Sequence, residues 1–419
     1  MNGKPQLKTL SNHLRYVIVP IPGVRSATVM ALVKAGTRYE TPENNGISHF
    51  LEHLPFKGTK QFPSTIKINK TIDGIGASWN AFTDKEYTAF YIKAATTHLD
   101  LSLRLVSDLV FEPLIPAKEL ELERKVILEE IRMYEDEPSL KVMINFEKLI
   151  FPQVPLGWDS LGSFQTIEAL KRDEFFEYHD YLYVPRRMTL LIAGGVEDQQ
   201  TELEAKIKTY FGTNKGDTQF KTQTYQFRQS QAKQDIFSKE TEQCHLIYGF
   251  RTTARSHADR YKLLLLSTIL GNGASSRLFT QIREKRGLAY YVHSMLDLYT
   301  ETGYLAARAG TNPVSAQETV KVIQDEFFKL TQKPVGQAEL KKAKDYLKGH
   351  LLLGFEDSHQ VALFYGKDLL LDDNLRSIDE VLDSINGVTP EDILVTAQKT
   401  FIKNKQNLAA IGPIDTLTL

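Results

Sequence analysis

Short runs of hydrophobic residues, separated by polar turns, recur along the first half of this chain. Three of them, "LRYVIVPIP", "SATVMALVKAG" and "RMTLLIAGGV", are rich in aliphatic residues and are bounded by Gly or Pro, which is typical of strands. The stretch "GASWNAFTDKEYTAFYIKAA" is rich in aromatic residues and Thr, and predicts two more strands around a polar turn at Thr83 to Lys85.

Helical spacing of hydrophobic residues marks two other segments. One is "HLDLSLRLVSDLV", and the other is a long segment from about Ala117 to Met133 with apolar residues at Leu120, Ile127 and Ile131. The first half of the chain is therefore predicted to combine strands with helices.

The same order of elements recurs in the second half. "CHLIYGF" parallels the strand "TVMALVKAG", and "GLAYYVHSMLDLYTETGYLAARA" parallels the predicted strand pair of the first half. In both halves a helix then leads into an acidic ending, "RMYEDEPS" and "LLLGFEDS". The offset between the halves drifts, which indicates insertions rather than a tandem array of short repeats.

A polar stretch poor in aliphatic residues, "GTNKGDTQFKTQTYQFRQSQAKQ", separates the halves and is interpreted as a linker. We therefore predict an α+β protein with two similar domains of about 200 residues. The predicted domains are 1–215 and 235–419, joined by a linker over 216–234.

The composition argues against several classes of protein, including nucleic-acid-binding, membrane-spanning and disulfide-rich proteins. With 42% hydrophobic residues, 25% charged residues and a net charge of -1, nothing favours a nucleic-acid or acidic-membrane partner. No uninterrupted apolar run reaches the length of a membrane span, and no secretory signal follows the first lysines. We expect a soluble, cytoplasmic protein. Its single cysteine, Cys244, excludes both intrachain disulfides and a cysteine-rich zinc site.

The stretch "GISHFLEHLPFKGTK" carries the strongest chemical signal. On a helix, His49 and His53 lie four residues apart and can direct both imidazoles to one point. Glu52 lies on the adjoining edge of that face, where a carboxylate can act as general base. The order H-x-x-E-H is that of the inverzincin motif. The alternative is an amphipathic helix with two ordinary histidines.

A catalytic zinc takes three protein ligands and leaves one position for water. The long helix offers Glu123 and Glu130, seven residues apart and hence on one face. Glu130 could complete the site, and Glu123 could orient a ligand histidine. The neighbouring Glu129 also fits a loose spacing. A glutamate-rich helix is otherwise typical of a solvated face.

"HFLEHLPFKGT", followed later by a glutamate in "ExxVxxEEI", resembles the pitrilysin-type zinc metallopeptidases. More narrowly, it is similar to their half-length members related to mitochondrial processing peptidase. The resemblance implies that His49, His53 and Glu130 bind one zinc ion per chain. It also implies that Glu52 is the general base and that Glu123 supports the site. The implied fold places helices against a mainly antiparallel sheet in each domain.

Two further stretches extend the resemblance. "SSRLFTQIREKRGLAYYVHS" is similar to the family's C-terminal-domain signature, which implies that Arg283 and Tyr290 contact the substrate at a zinc site. These residue types suit the task, because Arg can hold a carbonyl or carboxylate and Tyr can donate to a developing oxyanion. "GASWNAFTDKEYTAFY" resembles the edge strand that lines the family's cleft, and places Asn80 and Ala81 beside the scissile bond.

One residue departs from the family pattern. Pro55 follows the second histidine closely, where the family usually has other apolar residues. Proline cannot donate to the carbonyl of Leu51 and its ring crowds that carbonyl. We therefore predict that Pro55 ends or kinks the helix just after His53 and leaves the metal face intact.

The resemblance implies a zinc-dependent endopeptidase that hydrolyses unfolded peptides, bound as an added strand in an enclosed chamber. It further implies a homodimer in which Arg283 and Tyr290 complete the zinc site of the other chain. The main alternative is a non-catalytic scaffold or assembly subunit of the same fold. A third interpretation is a metallohydrolase acting on a non-peptide substrate.

Overall fold

The computed structural model describes residues 4–214, 216 and 223–419. Within these residues the strands are β1 (Gln6–Thr9), β2 (Arg15–Pro20), β3 (Ser26–Val33), β4 (Ser78–Thr83), β5 (Thr88–Ala95), β6 (Met188–Gly194), β7 (Lys233–Ser238), β8 (Cys244–Thr252), β9 (Ala289–Leu298), β10 (Gly303–Thr311) and β11 (Asn407–Gly412). The α-helices are α1 (Ile47–His53), α2 (Thr65–Asp73), α3 (Leu99–Phe111), α4 (Ala117–Asp136), α5 (Pro138–Ile150), α6 (Phe164–Ala169), α7 (Arg172–Leu182), α8 (Gln200–Phe211), α9 (Arg260–Gly271), α10 (Ala316–Lys329), α11 (Gln337–Gly354), α12 (Ser358–Asp372), α13 (Ile378–Asn386) and α14 (Pro390–Thr400).

The elements predicted from hydrophobic patterning are present. The three aliphatic runs form β2, β3 and β6, and the aromatic stretch forms the hairpin of β4 and β5. The two predicted helices are α3 and α4. Each prediction rested on a local pattern that distinguishes a strand from a helix without tertiary information.

The first sheet has six strands in the order β1-β2-β6-β3-β5-β4. β2 and β6 are parallel, and all other neighbours are antiparallel. The central strands β3 and β6 are almost entirely buried, because both faces are covered. β4 lies at one edge and pairs with β5, with Asn80 opposite Tyr91 and Ala81 opposite Phe90.

The second sheet repeats this topology. Its order is β7-β11-β8-β10-β9, with β7 and β11 parallel and the remaining neighbours antiparallel. Five neighbouring strands of the first sheet, β2-β6-β3-β5-β4, have the same sequence of parallel and antiparallel pairings as the five strands of the second sheet. The predicted internal repeat and the mainly antiparallel α+β fold are thereby confirmed.

The chain forms two compact units that are not continuous in sequence. The first comprises 1–131, 159–222 and 352–377, and the second comprises 132–158, 223–351 and 378–419. The predicted domains, 1–215 and 235–419, were continuous. In the structure, segment 132–158 of the predicted first domain belongs to the second unit, and segment 352–377 of the predicted second domain belongs to the first unit. The predicted linker, 216–234, lies partly outside the described residues, and Lys233 and Gln234 belong to β7.

The exchanged segments each supply a helix that packs on a sheet. In the first unit α12 packs on β3 and β6, and the hydroxyls of Thr28 and Ser358 are hydrogen-bonded at 2.8 Å. Gly366 permits close packing, since a Cβ there would lie 2.7 Å from Leu32 Cδ1. In the second unit Val142 and Phe146 of α5 enter one buried cluster with side chains of β8, β10 and β11. α5 is amphipathic, whereas α12 is buried over most of its surface. Burial of their apolar side chains stabilises the sheets that the two helices cover.

No helix in the described part of the chain combines the length and the apolar character that a membrane crossing requires.

Candidate metal centre

The helix that carries the histidines, α1, begins at a position that only glycine fits. Gly46 has a φ of 97°, and a Cβ on it would lie 2.7 Å from the carbonyl oxygen of Leu161. The buried carboxylate of Glu40 accepts hydrogen bonds from the backbone N–H groups of Gly46 and Ser48, both at 2.9 Å. These contacts satisfy donors that the first turn of a helix leaves unpaired. The start of α1 is therefore held by interactions outside the helix.

The helix ends where Pro55 was predicted to end it. α1 stops at His53 and continues as a tighter 3₁₀ turn, Leu54–Lys57. Proline suits the first turn of a helix because it needs no amide hydrogen there. The metal-facing part of α1 is intact.

The structure brings the three predicted ligands together. The rings of His49 and His53 are 4.8 Å apart between centroids, and Nε2 of His49 lies 3.7 Å from Oε2 of Glu130 on α4. One ligand atom from each residue lies within 4.8 Å of the others, and no other group of this kind occurs in the described residues. Residues four apart on α1 share one face, and α4 supplies the carboxylate from across it.

The ring nitrogens of both histidines are suited to metal binding. Burial, assisted by the nearby His53, lowers the pKa of His49 to about 3. His49 is therefore neutral, and its buried Nδ1 has no hydrogen-bond partner in the described residues. Nδ1 of His53 is hydrogen-bonded to Oε1 of Glu123 at 2.8 Å, which leaves Nε2 for a metal. Burial alone would lower the pKa of His53, but the hydrogen bond to Glu123 and the nearby carboxylates raise it, so binding of a metal at Nε2 requires the ring to release its proton. An imidazole held by a carboxylate is a common arrangement for zinc ligands.

The donor set fits zinc. Two imidazoles and one carboxylate are the ligands of a class of catalytic zinc sites, which keep a further position open. Burial raises the pKa of the Glu130 carboxyl, which the charge of His53 only partly offsets. A cation at this point would compensate for the buried carboxylate.

Glu52 lies on the same helix beside the end of the edge strand. Burial raises the pKa of its carboxyl, and hydrogen bonds from Thr83 oppose that shift. Thr83 is the last residue of β4, and its hydroxyl also donates to the carbonyl of Ser48 at 3.4 Å. The predicted base is thus adjacent to the strand predicted to bind the substrate.

The two predicted substrate-binding positions on β4 differ in exposure. Asn80 is exposed, whereas Ala81 is buried at 5% exposure. Successive side chains of a strand point to opposite faces, so the two residues do not form one side-chain surface. What they share is the backbone of the sheet edge.

Arg283 and Tyr290 lie together in the second unit. Arg283 belongs to a π-helical turn, Phe279–Glu284, and its guanidinium carbon lies 5.5 Å from the centroid of the Tyr290 ring. The Tyr290 side chain is 74% exposed, which is unusual for an aromatic residue and leaves its hydroxyl accessible. The metal-ligand group belongs to the first unit.

Two residues at this centre were not singled out by the sequence analysis. Lys57 contacts the carboxylate of Glu123, and Glu40 holds the start of α1. The spacing of four residues between His53 and Lys57 is a signal that could have placed both on one face. Glu40 has no such signal, because an irregular segment separates it from α1.

Two family models match the chain. The model described as insulinase, peptidase family M16, matches residues 15–157, and the model described as peptidase M16 inactive domain matches residues 169–347. The first match contains the H-x-x-E-H motif and Glu130. The second contains Arg283 and Tyr290.

Relatives of similar length cover nearly the whole chain. An uncharacterized zinc protease of Bacillus subtilis, YmxG, is 34% identical over 406 residues, which is 97% of each chain. An uncharacterized zinc protease of Streptomyces coelicolor is 33% identical over 418 residues, covering 98% of this chain and 90% of the relative.

Solved structures agree with this similarity. A protease from Helicobacter pylori superposes with a TM-score of 0.92 and 26% identity, covering 99% of this chain and 100% of that one. A peptidase M16 inactive domain from Pseudomonas fluorescens has a TM-score of 0.90 at 18% identity over the full length of both chains, and shows the shared fold alone. The resemblance inferred from the motifs is confirmed, and the chain belongs to peptidase family M16, whose members include these zinc proteases.

Proposed function

We propose that this protein is a zinc-dependent endopeptidase that hydrolyses unfolded peptides. The observation that carries the proposal is the convergence of His49, His53 and Glu130 on one point, with Glu52 on the same helix. Relatives named zinc proteases support the metal and the reaction class.

His49, His53 and Glu130 hold one zinc ion per chain. The ion supplies Lewis acidity, which polarises a peptide carbonyl and activates water. Glu52 takes the proton from the attacking water and passes it to the nitrogen of the leaving amine. The hydrogen bond between Glu123 and Nδ1 of His53 fixes the orientation of the imidazole ring, so that Nε2, on the other side of the ring, faces the metal.

The substrate binds as an added strand along β4. Within the described residues β4 pairs with β5 alone, so the backbone groups of its other edge are free to bond an extended chain. Such pairing uses main-chain hydrogen bonds and requires an unfolded segment, with little sequence preference. Because Thr83 of β4 contacts Glu52, a strand added there passes close to the base.

A homodimer completes the site. In this arrangement two chains enclose a chamber through a two-fold interface, and Arg283 and Tyr290 of one chain reach the zinc site of the other. The family resemblance supports the arrangement. The exposed Tyr290 hydroxyl can donate to the developing oxyanion, and Arg283 can hold a substrate carbonyl or carboxylate.

Mixing two inactive variants tests the shared site. Glu52→Gln and Tyr290→Phe place their defects on different sides of the proposed interface. After exchange of subunits, each mixed dimer contains one site with both residues native and one with neither. Random mixing then restores about one quarter of all sites, measured as peptidase activity.

A mixture of Glu52→Gln with Glu130→Gln serves as the control and should stay inactive, because both defects fall in the same kind of site. Should the first mixture also remain as inactive as its parents despite demonstrated exchange, the pair does not act across a subunit interface.

A non-catalytic scaffold is the second candidate, since one of the matching models is described as an inactive domain. Bound metal and peptide hydrolysis discriminate the two functions. We expect the purified protein to contain zinc and to cut a mixed library of unstructured peptides. Removal of zinc with a chelator should abolish cleavage, and added zinc should restore it.

The cleavage sites are mapped by mass spectrometry, with a folded protein containing the same peptide sequences as the control. Absence of both zinc and cleavage would favour the scaffold. Cleavage that survives complete removal of the metal would contradict a zinc mechanism.

A further inference from the structure

The segment that follows α1 places a lysine, Lys57, close to the candidate metal centre. The 3₁₀ turn Leu54–Lys57 continues directly from α1, and the N–H of Gly58 closes it by donating to the carbonyl of Pro55 at 3.3 Å. Proline fixes its own φ near the helical value, so Pro55 favours this turn over an extended continuation. Lys57 therefore remains near the face that carries His53.

Lys57 and His53 bind opposite oxygens of one carboxylate. Nζ of Lys57 lies 2.5 Å from Oε2 of Glu123, and Nδ1 of His53 lies 2.8 Å from Oε1. The Glu123 side chain is only 6% exposed. A carboxylate buried to this degree requires compensation for the water it has lost, and these two contacts provide it.

We propose that Lys57 is a positioning residue for the metal ligand His53, and that it acts through Glu123. By holding one oxygen of Glu123, Lys57 keeps the other on Nδ1 of His53 and so fixes the ring that presents Nε2 to zinc. Loss of Lys57 leaves the carboxylate free to rotate, and the His53 ring with it. The inference rests on the proposed zinc site and assigns a role to a residue outside the H-x-x-E-H motif.

Zinc affinity is the direct measurement, taken by titrating the metal-free full-length protein with zinc against a chromophoric chelator. We expect Lys57→Met, which keeps the apolar stem, to weaken zinc binding about tenfold, within the range for outer partners of metal ligands. Lys57→Arg should recover most of the affinity because it retains the charge.

Lys60→Met is the matched control. Lys60 stands three residues away, and its Nζ lies 3.6 Å from Glu112 in an exposed pair. This substitution should leave zinc affinity unchanged. If Lys57→Met does not fold, as judged by circular dichroism of the metal-free protein, Lys57→Gln takes its place.

A double variant separates positioning from a general structural role. Because Lys57 acts through Glu123, Lys57→Met should change zinc affinity by less than about twofold in a Glu123→Gln background. An equal loss in both backgrounds overturns the proposal. So does wild-type zinc affinity in folded Lys57→Met, although the proposed function then stands. A wild-type protein that binds no zinc would contradict both.

Discussion

Replacing Glu52 with Gln should yield a protein that binds zinc but hydrolyses almost no peptide. The three ligand side chains are unchanged, so the metal is retained. Glutamine has nearly the same shape as glutamate, but its amide cannot accept a proton from water. General acid–base catalysis contributes about 10²- to 10⁴-fold to rates, and we expect a loss in kcat of that order.

The measurement combines zinc content with the rate of cleavage of an unstructured peptide. Glu129→Gln is the matched control, because the same chemical change is made on the exposed side of α4. This control should keep both zinc and activity. Wild-type turnover in Glu52→Gln would show that another group removes the proton and that Glu52 is not the base.

Replacing Glu130 with Gln should have the largest effect on metal content. Oε2 of Glu130 lies 3.7 Å from Nε2 of His49, and the side chain is 26% exposed. A neutral amide is a poor ligand for zinc and removes the negative charge that partly balances the ion. Loss of a ligand should exceed the effect of losing an outer partner, which is about 10- to 100-fold in affinity.

The comparison with Glu129→Gln locates the ligand on the helix. Successive residues of α4 point about 100° apart around its axis, so only one of the two glutamates can face α1. Metal analysis of both variants by mass spectrometry decides between them. If Glu129→Gln loses zinc and Glu130→Gln keeps it, the ligand face of α4 is shifted by one residue.

The strands and helices with regular hydrophobic patterning, and the candidate ligand residues, were predictable from the sequence. The aliphatic runs predicted β2, β3 and β6, because strand formation depends on local residue type and on boundaries set by Gly and Pro. Helix geometry placed His49 and His53 on one face at a spacing of four, and Glu123 and Glu130 on one face at a spacing of seven. The resemblance to the metallopeptidases implied which of these residues bind the metal.

The packing partners of the helices were not predictable in this way. α12 lies in sequence between β10 and β11 of the second sheet but covers the first sheet, and α5 lies between β5 and β6 of the first sheet but covers the second. An amphipathic pattern shows that a helix buries one face, but it contains no information about which of two similar sheets receives that face. The choice depends on contacts between residues far apart in sequence.

The residues around the candidate metal centre also fall into two groups, those predictable from local spacing and those placed only by the folded chain. The face that His49 and His53 share on α1, and the end of that helix near Pro55, follow from short-range spacing and from the missing amide of proline. Only the folded chain places Glu40 at the start of α1 and sets Glu123 between His53 and Lys57. Local periodicity determines which side chains share a face, because backbone geometry repeats at fixed intervals. Contacts across helices and loops depend instead on how distant segments pack, which no local pattern encodes.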